Sequence, residues 1–333
     1  METITVRTES QASLVQSEVL AMISVIRPIL LGMLYSTKAG IIEEAGGFQN
    51  VKLKMLPFLH NPGDGDIGIC FEWAIHDAIK RNDALILDRI ETSLKHCKVK
   101  GQSITSILFG AEKSGVLQLI DTAQQILTDD SRLLTGAQAQ PVKLKRHLNS
   151  IVGAFTNART RPALPYSISG LWKADLFLGR TDTDRWIGST VKINAQDLEA
   201  AKGLRVGIVP LSQGKSDKVH FDYARNIVVC PVPYDQSFMQ VFYNGWRVVQ
   251  QFVAAKGKMP KEAALPNPAE RQVARELVDR LEFPVLEVVE VLEAQSQQGL
   301  LASATSSAAL ALNKPAVLSK TDTIISPVPF LSS

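Results

Sequence analysis

Asp175 and Lys192 stand 17 residues apart in two stretches that are otherwise largely apolar, Lys173-Ala174-Asp175-Leu176-Phe177-Leu178 and Trp186-Ile187-Gly188-Ser189-Thr190-Val191-Lys192-Ile193. A lone carboxylate and a lone ammonium carried into apolar surroundings are costly unless they meet a partner or a metal. Hydrolysis of a phosphodiester with a divalent metal uses this combination. Carboxylates hold the cation, a backbone carbonyl completes its shell, and a lysine positions the attacking water or offsets charge on the phosphorane. If the two stretches are adjacent strands, Asp175 and Lys192 meet at one edge of a sheet with the carbonyl of Val191 beside them.

The elements that must position these residues follow from periodicity. Period-two alternation predicts strands over 173–178 and 186–193, with Gly179 to Arg185 as hairpin material. A helix is expected from Asn194 to Ala201, then strands at Leu204 to Pro210 and Asn226 to Pro231. A helix from Gln236 to Ala254 carries Phe238, Val241, Phe242, Trp246, Val249 and Phe252 on or near one face. This order implies an α/β (α+β) fold with a mixed central sheet flanked by helices.

Upstream, apolar spacing predicts a helical lead-in over Ser13 to Ser36. His60 to Asp66 reads as a turn, with Asp66 capping a helix that begins near Ile69 and bears Glu72 and His76. Helices are also expected over Asp83 to Cys97 and Ser114 to Leu127, with a further apolar-spaced segment from His147 to Phe155. Beyond Lys256, a linker marked by Pro260, Pro266 and Pro268 leads to amphipathic helices at Ala269 to Leu281 and Pro284 to Gln297. The organisation expected is a lead-in over 1–65, a helical region with the Glu72 helix and an insertion over 66–165, an α/β core over 166–256, C-terminal helices over 257–301 and a flexible tail over 302–333.

The 333 residues carry 36 basic and 33 acidic side chains, a net charge of +3, so a nucleic-acid site must be a local patch. The densest basic stretch holds Lys143, Lys145, Arg146, Arg159 and Arg161. It reads either as a phosphate-contact strip or as a solvated helix start and loop. Three separated cysteines indicate neither a disulfide framework nor a zinc site, and a polar N-terminus without a cleavage signal argues against export. A cytoplasmic protein is expected. The apolar segment Val19 to Tyr35 holds Arg27 and Pro28 at its centre, where a mid-span arginine costs roughly 2.5–3.5 kcal/mol on insertion. It therefore reads as a buried helix pair kinked at the proline rather than a membrane span. No Gly-x-Gly-x-x-Gly, P-loop, Gly-x-Ser-x-Gly or His-Glu-x-x-His anchors another enzyme class.

The order of a Glu72-bearing helix, an Asp175-bearing strand, a strand ending Thr190-Val191-Lys192, then helix and strand through Leu204-Arg205-Val206-Gly207-Ile208-Val209-Pro210 resembles the PD-(D/E)XK, or restriction-endonuclease-like, nuclease superfamily. The resemblance covers the Glu72 helix and about 165–255. It implies a mixed four-stranded sheet flanked by helices and cutting of nucleic acid, DNA rather than RNA, with Mg2+ or Mn2+ in a bacterial or phage defence setting. Carried over, Asp175 is the metal-binding aspartate, Val191 offers its carbonyl, Lys192 is the catalytic lysine and Glu72 the helix glutamate near a metal-bound water. His76 lies one helical turn beyond Glu72, and Gln213, Lys215 and Lys218 stand in a loop that could reach a phosphate. The chain departs from the pattern two residues before the lysine, where Thr190 replaces the expected acid. Asp182, Asp184 and Glu199 are candidate replacements. The alternative is a catalytically inactive nuclease-fold subunit that binds nucleic acid or assembles with itself or a partner protein through the C-terminal helices.

Overall fold

The computed structural model describes residues 2–110, 123, 125–136, 141–234 and 238–296, with side chains from residue 17 onward. The expected tail over 302–333 and most of the helix expected from Ser114 to Leu127 fall outside these residues.

Helices α1 (Glu2–Ser36), α2 (Ala39–Glu44), α3 (Leu56–Leu59), α4 (Ile67–Lys80) and α5 (Ala84–His96) precede the first strand, β1 (Thr105–Leu108). Short strands β2 (Arg132–Leu133) and β3 (Val142–Lys143) lead into α6 (Leu144–Thr156). Then come β4 (Leu176–Arg180), β5 (Arg185–Val191), β6 (Leu204–Pro210), β7 (His220–Asp222) and β8 (Ile227–Val232), followed by α7 (Met239–Ala254), α8 (Pro268–Val278) and α9 over 285–296.

The strands form one mixed sheet of order β1-β4-β5-β6-β8-β7, eight strands among the described residues once β2 and β3 are added beside β5. β4 runs antiparallel to its neighbours β1 and β5, whereas β5, β6 and β8 run parallel. The period-two reading is realised literally on β4. Leu176 and Leu178 enter the core under the N- and C-terminal helices, and Phe177 enters a second core with Trp186 and the α6 residues Leu144, Leu148 and Ile151. The first of these cores runs from Val19 to Leu292 and draws on every expected segment from 1–65 through 257–301.

Four local expectations need correction. The strand expected over 173–178 begins only at Leu176, because residues Leu171–Lys173 close a 3-10 turn. The helix expected from Asn194 to Ala201 is only a 3-10 turn, Ala195–Asp197. Asn194 is its N-cap, the side chain accepting the Gln196 N–H at 3.1 Å, and the turn is not continued beyond Asp197. Asp66 occupies the N-cap position of α4, yet its side chain makes no cap bond and engages His60 Nδ1 at 2.7 Å. Finally, α1 continues through Pro28 as one helix rather than a kinked pair.

Ser17–Ser36 is long and apolar enough to cross a membrane, and 72% of its apolar window is buried inside the protein. Ile26, Ile29, Leu30, Met33 and Leu34 are fully enclosed. Arg27, 8% exposed, pairs with Asp77 of α4 and donates to Glu293 of α9 at 2.9 Å. The C-terminal helices are likewise docked: Ala269, Val273, Ala274, Leu277, Val285, Val288 and Leu292 are buried. Their apolar faces, expected as a surface for another chain, are covered by this one.

α1 and α4 cross closely at Gly32, where an added Cβ would lie 2.7 Å from the Cys70 Cα. The Cys70 thiol donates to the Ile29 carbonyl at 3.3 Å across the same crossing. Since backbone sets this limit, Gly32→Ala is expected to destabilise by about 1–3 kcal/mol, despite a helix-propensity gain of up to about 1 kcal/mol. Chemical denaturation of the variant checks this, and unchanged or raised stability would refute the tight crossing.

Candidate active site

Asp175 immediately precedes β4, and Lys192 immediately follows β5. The antiparallel register pairs Leu176 with Ser189, so it places Asp175 opposite Thr190 at the open end of the hairpin. The Asp175 N–H donates to the Ser189 carbonyl at 2.9 Å, and the Asp175 carbonyl accepts the Phe109 and Gly110 N–H groups, both at 2.8 Å. The backbone of this one residue thus ties β5 to the segment that continues β1.

The Asp175 carboxylate is 4% exposed as a residue and is richly solvated by protein. Its Oδ2 accepts the Thr190 hydroxyl at 2.8 Å, the Val191 N–H at 2.9 Å and the Lys192 ammonium at 3.1 Å. An extended residue directs its N–H and C=O to the same side, so the Val191 carbonyl faces this edge as well. Glu72 reaches the same place from α4. A Cβ added at Gly110 would lie 2.3 Å from Glu72 Oε2 and 3.6 Å from the Asp175 carbonyl. A side chain at this position would displace the Glu72 carboxylate from where it now lies.

Lys192 is about one-third exposed at its side chain. Burial alone would lower its pKa and is the largest single influence. The Asp175 and Glu72 carboxylates, the hydrogen bond to Asp175 and the more distant Glu199 together outweigh it and raise the pKa above the ordinary lysine value. Lys192 is therefore a fixed cation at neutral pH, suited to orienting water or offsetting charge on a phosphoryl group rather than to accepting a proton.

None of the three candidate replacements for Thr190 joins this group. Asp182 and Asp184 sit in the hairpin turn at the other end of β4, about 16 Å away along the strand. There Asp182 accepts the Gln102 N–H and the Ser103 hydroxyl, and Asp184 accepts Ser131, Thr128 and the Trp186 indole. Glu199 is closer, but it pairs with Lys173 at the surface. Among the described residues, no group of three or more His, Cys, Asp or Glu side chains is placed to hold a metal ion. Two carboxylates and one carbonyl, all hard oxygen donors, still fit magnesium or manganese better than a softer cation.

The basic stretch divides. Lys143 and Lys145 lie at the start of α6 and face Asp130 and Asp129 at 3.8 and 3.5 Å, while Arg146 is exposed beside them. β3 connects through β2 to Arg185, so this end of α6 lies at the hairpin turn, away from Asp175. Arg159 and Arg161 follow the helix, whose 13 residues span about 20 Å. Arg161 lies 3.7 Å over the Trp172 ring, three residues before Asp175. His76 bonds the Ser106 hydroxyl of β1 at 2.8 Å, fastening α4 to the sheet. Gln213, Lys215 and Lys218 lie in the connection between β6 and β7.

The sequence reading missed β1, Gly110, the Thr190 hydroxyl as a donor to Asp175, and Trp172. For β1, the run Ile104-Thr105-Ser106-Ile107-Leu108-Phe109 was the available signal. Comparison of the chain with protein-family models, curated proteins and solved structures gives no match.

Burial, followed by the nearby Lys80 charge, lowers the His76 pKa to about 3, so the ring is neutral in the folded protein and must take up a proton on acid unfolding. Stability attributable to His76 is intact above pH about 6.5, the unfolded value. It falls by up to about 1.4 kcal/mol per unit towards pH 3. Denaturation across this range checks the slope, which His76→Gln is expected to flatten; an unchanged slope would place the titrating group elsewhere.

Proposed function

We propose that the chain is a metal-dependent phosphodiester hydrolase acting on nucleic acid, DNA rather than RNA. The observation that carries the reading is the convergence of Asp175, Glu72, the Val191 carbonyl and a permanently charged Lys192 where the β4–β5 ladder ends. Asp175 and Glu72 would hold the cation, with the Val191 carbonyl completing its shell. The chemistry supplied by a bound magnesium or manganese ion there is polarisation of the phosphoryl oxygen and activation of water. Lys192 donates to the phosphoryl oxygen or the incoming water, and its charge offsets the negative charge that grows there. Thr190 and the Val191 N–H hold the Asp175 carboxylate in one orientation.

Cleavage of supercoiled plasmid, linear duplex, single-stranded DNA and RNA with magnesium or manganese tests this. Activity is expected to vanish in EDTA and to fall at least about 100-fold in Lys192→Ala. Cutting of none of the substrates, or cutting indifferent to Lys192, would overturn it.

A second reading, a non-catalytic nucleic-acid-binding or assembly subunit, is favoured by the Thr190 hydroxyl, which donates to Asp175 where the resemblance expects a metal-binding acid. Thr190→Asp separates the two. Calorimetry with manganese is expected to show tighter metal binding by the variant, accompanied by faster cleavage if the site is active. Binding of nucleic acid that ignores EDTA, with no cleavage in either protein, would support the non-catalytic subunit.

A further inference from the structure

The chain between α6 and Asp175 is a run of 3-10 turns, Ala158–Ala163, Tyr166–Ile168 and Leu171–Lys173, and it presents two aromatic rings paired with cations. Arg161 covers the Trp172 ring at 3.7 Å, and the Lys202 ammonium stands 4.8 Å from the Tyr166 ring centre. Tyr166 is 77% exposed, so its ring is accessible to a ligand. Beside it opens a cavity of about 830 Å3, lined by Tyr166, Lys202, Arg205 and Arg225 among others. Among its described lining residues there is no carboxylate. Asp222, outside that described lining, pairs with Arg225 at 2.8 Å.

Position gives this cavity its meaning. Its floor at Leu204 pairs with Gly188 of β5, four residues before Lys192 on the same strand, a separation of about 13 Å. Lys202 lies on the connection that starts at Lys192, and Trp172 lies on the segment that ends at Asp175. Both routes run from the cations and rings to the candidate site.

We propose that this surface binds single-stranded nucleic acid a few nucleotides from the scissile bond. Tyr166 is a stacking face for a base, and Lys202, Arg205 and Arg225 take backbone phosphates. The proposal deepens the phosphodiesterase reading and rests on it for the identity of the reacting group. It replaces the expected 143–161 strip, of which only the Arg161 end adjoins the site.

The test is fluorescence polarisation in EDTA with labelled 12-nucleotide single strands of DNA and RNA and with a 12-base-pair duplex. Deoxynucleoside monophosphate and inorganic phosphate serve as competitors, and cleavage of the same strands is measured in parallel with magnesium. Single strands are expected to bind more tightly than duplex. Tyr166→Ala, at an exposed site, is expected to weaken binding roughly ten-fold, and Lys202→Ala to reduce the salt slope by about 0.7. Circular dichroism of each variant confirms folding.

Binding lost in Tyr166→Ala without cleavage by any form would keep the groove and remove the hydrolase reading. Cleavage whose KM and strand affinity ignore Tyr166 and Lys202 would overturn the groove and keep the hydrolase. Preference for duplex, or competition by monophosphate or phosphate at concentrations comparable to the strand, would also overturn it, the latter in favour of a mononucleotide site.

Discussion

A carboxylate taken out of water must be compensated by donors close at hand, and Asp175 meets that requirement with one oxygen facing three of them. The ammonium of Lys192 supplies the opposite charge, while the Thr190 hydroxyl and Val191 N–H orient the carboxylate. The Val191 N–H therefore goes to a side chain instead of a strand partner, and the β4 to β5 ladder ends there. The Asp175 backbone carries the constraint further, accepting two N–H groups from the end of β1 and donating to Ser189. An acidic residue at position 190 would set two like charges side by side against this arrangement unless a cation lay between them. Threonine instead adds a neutral donor to the buried carboxylate.

The helical layer determines what else reaches that edge. Glu72 arrives because α4 is pinned from both sides. On one side, the close approach at Gly32 and the Cys70 thiol fix it to α1. On the other, His76 grips Ser106, one turn along from Glu72, and Gly110 leaves the opening that the glutamate occupies. The Arg27 guanidinium joins α1 to α4 and α9 through Asp77 and Glu293, while Asp77 also receives Arg81 at 2.6 Å. Such a buried network contributes geometric definition more than net stability, because desolvation of the charges offsets much of their attraction.

Charge is distributed along the sheet in a way that the near-neutral total conceals. At the hairpin end, the basic residues of α6 face the aspartates of the preceding turn. At the Asp175 end, Lys192, Lys173 and Arg161 are set among two carboxylates, Glu199 and an indole ring. Further along the parallel strands, Lys202, Arg205 and Arg225 line a concavity without an acidic neighbour in its described lining. Cations that rest on ring faces keep part of their charge exposed, because the ring neutralises none of it.

Much of this molecule was legible in local pattern. Alternation marked β5, β6 and β8, and amphipathic spacing marked α5 and α7. At the start of α5, Asp83 accepts the Ile86 N–H at 3.0 Å. The meeting of Asp175 and Lys192 was also legible, since a hairpin register that sets Asp175 opposite Thr190 leaves Lys192 only two residues further along. By contrast, β1 is four residues long and its partner strand lies some seventy residues away, so nothing in its neighbourhood announced the pairing. The chain between Lys192 and Leu204 had enough length, helix formers and an Asn194 cap for a helix, yet only the single 3-10 turn Ala195–Asp197 forms before the chain enters β6. Likewise the clustered arginines and lysines of 143–161 were parted by the length of α6. Sequence by itself determined which segments alternate, which are amphipathic and which charges enter apolar strands, because these follow from neighbours along the chain. Tertiary structure alone decided which partner each charge meets, since burial couples a carboxylate to whatever donor long-range packing brings within hydrogen-bond reach.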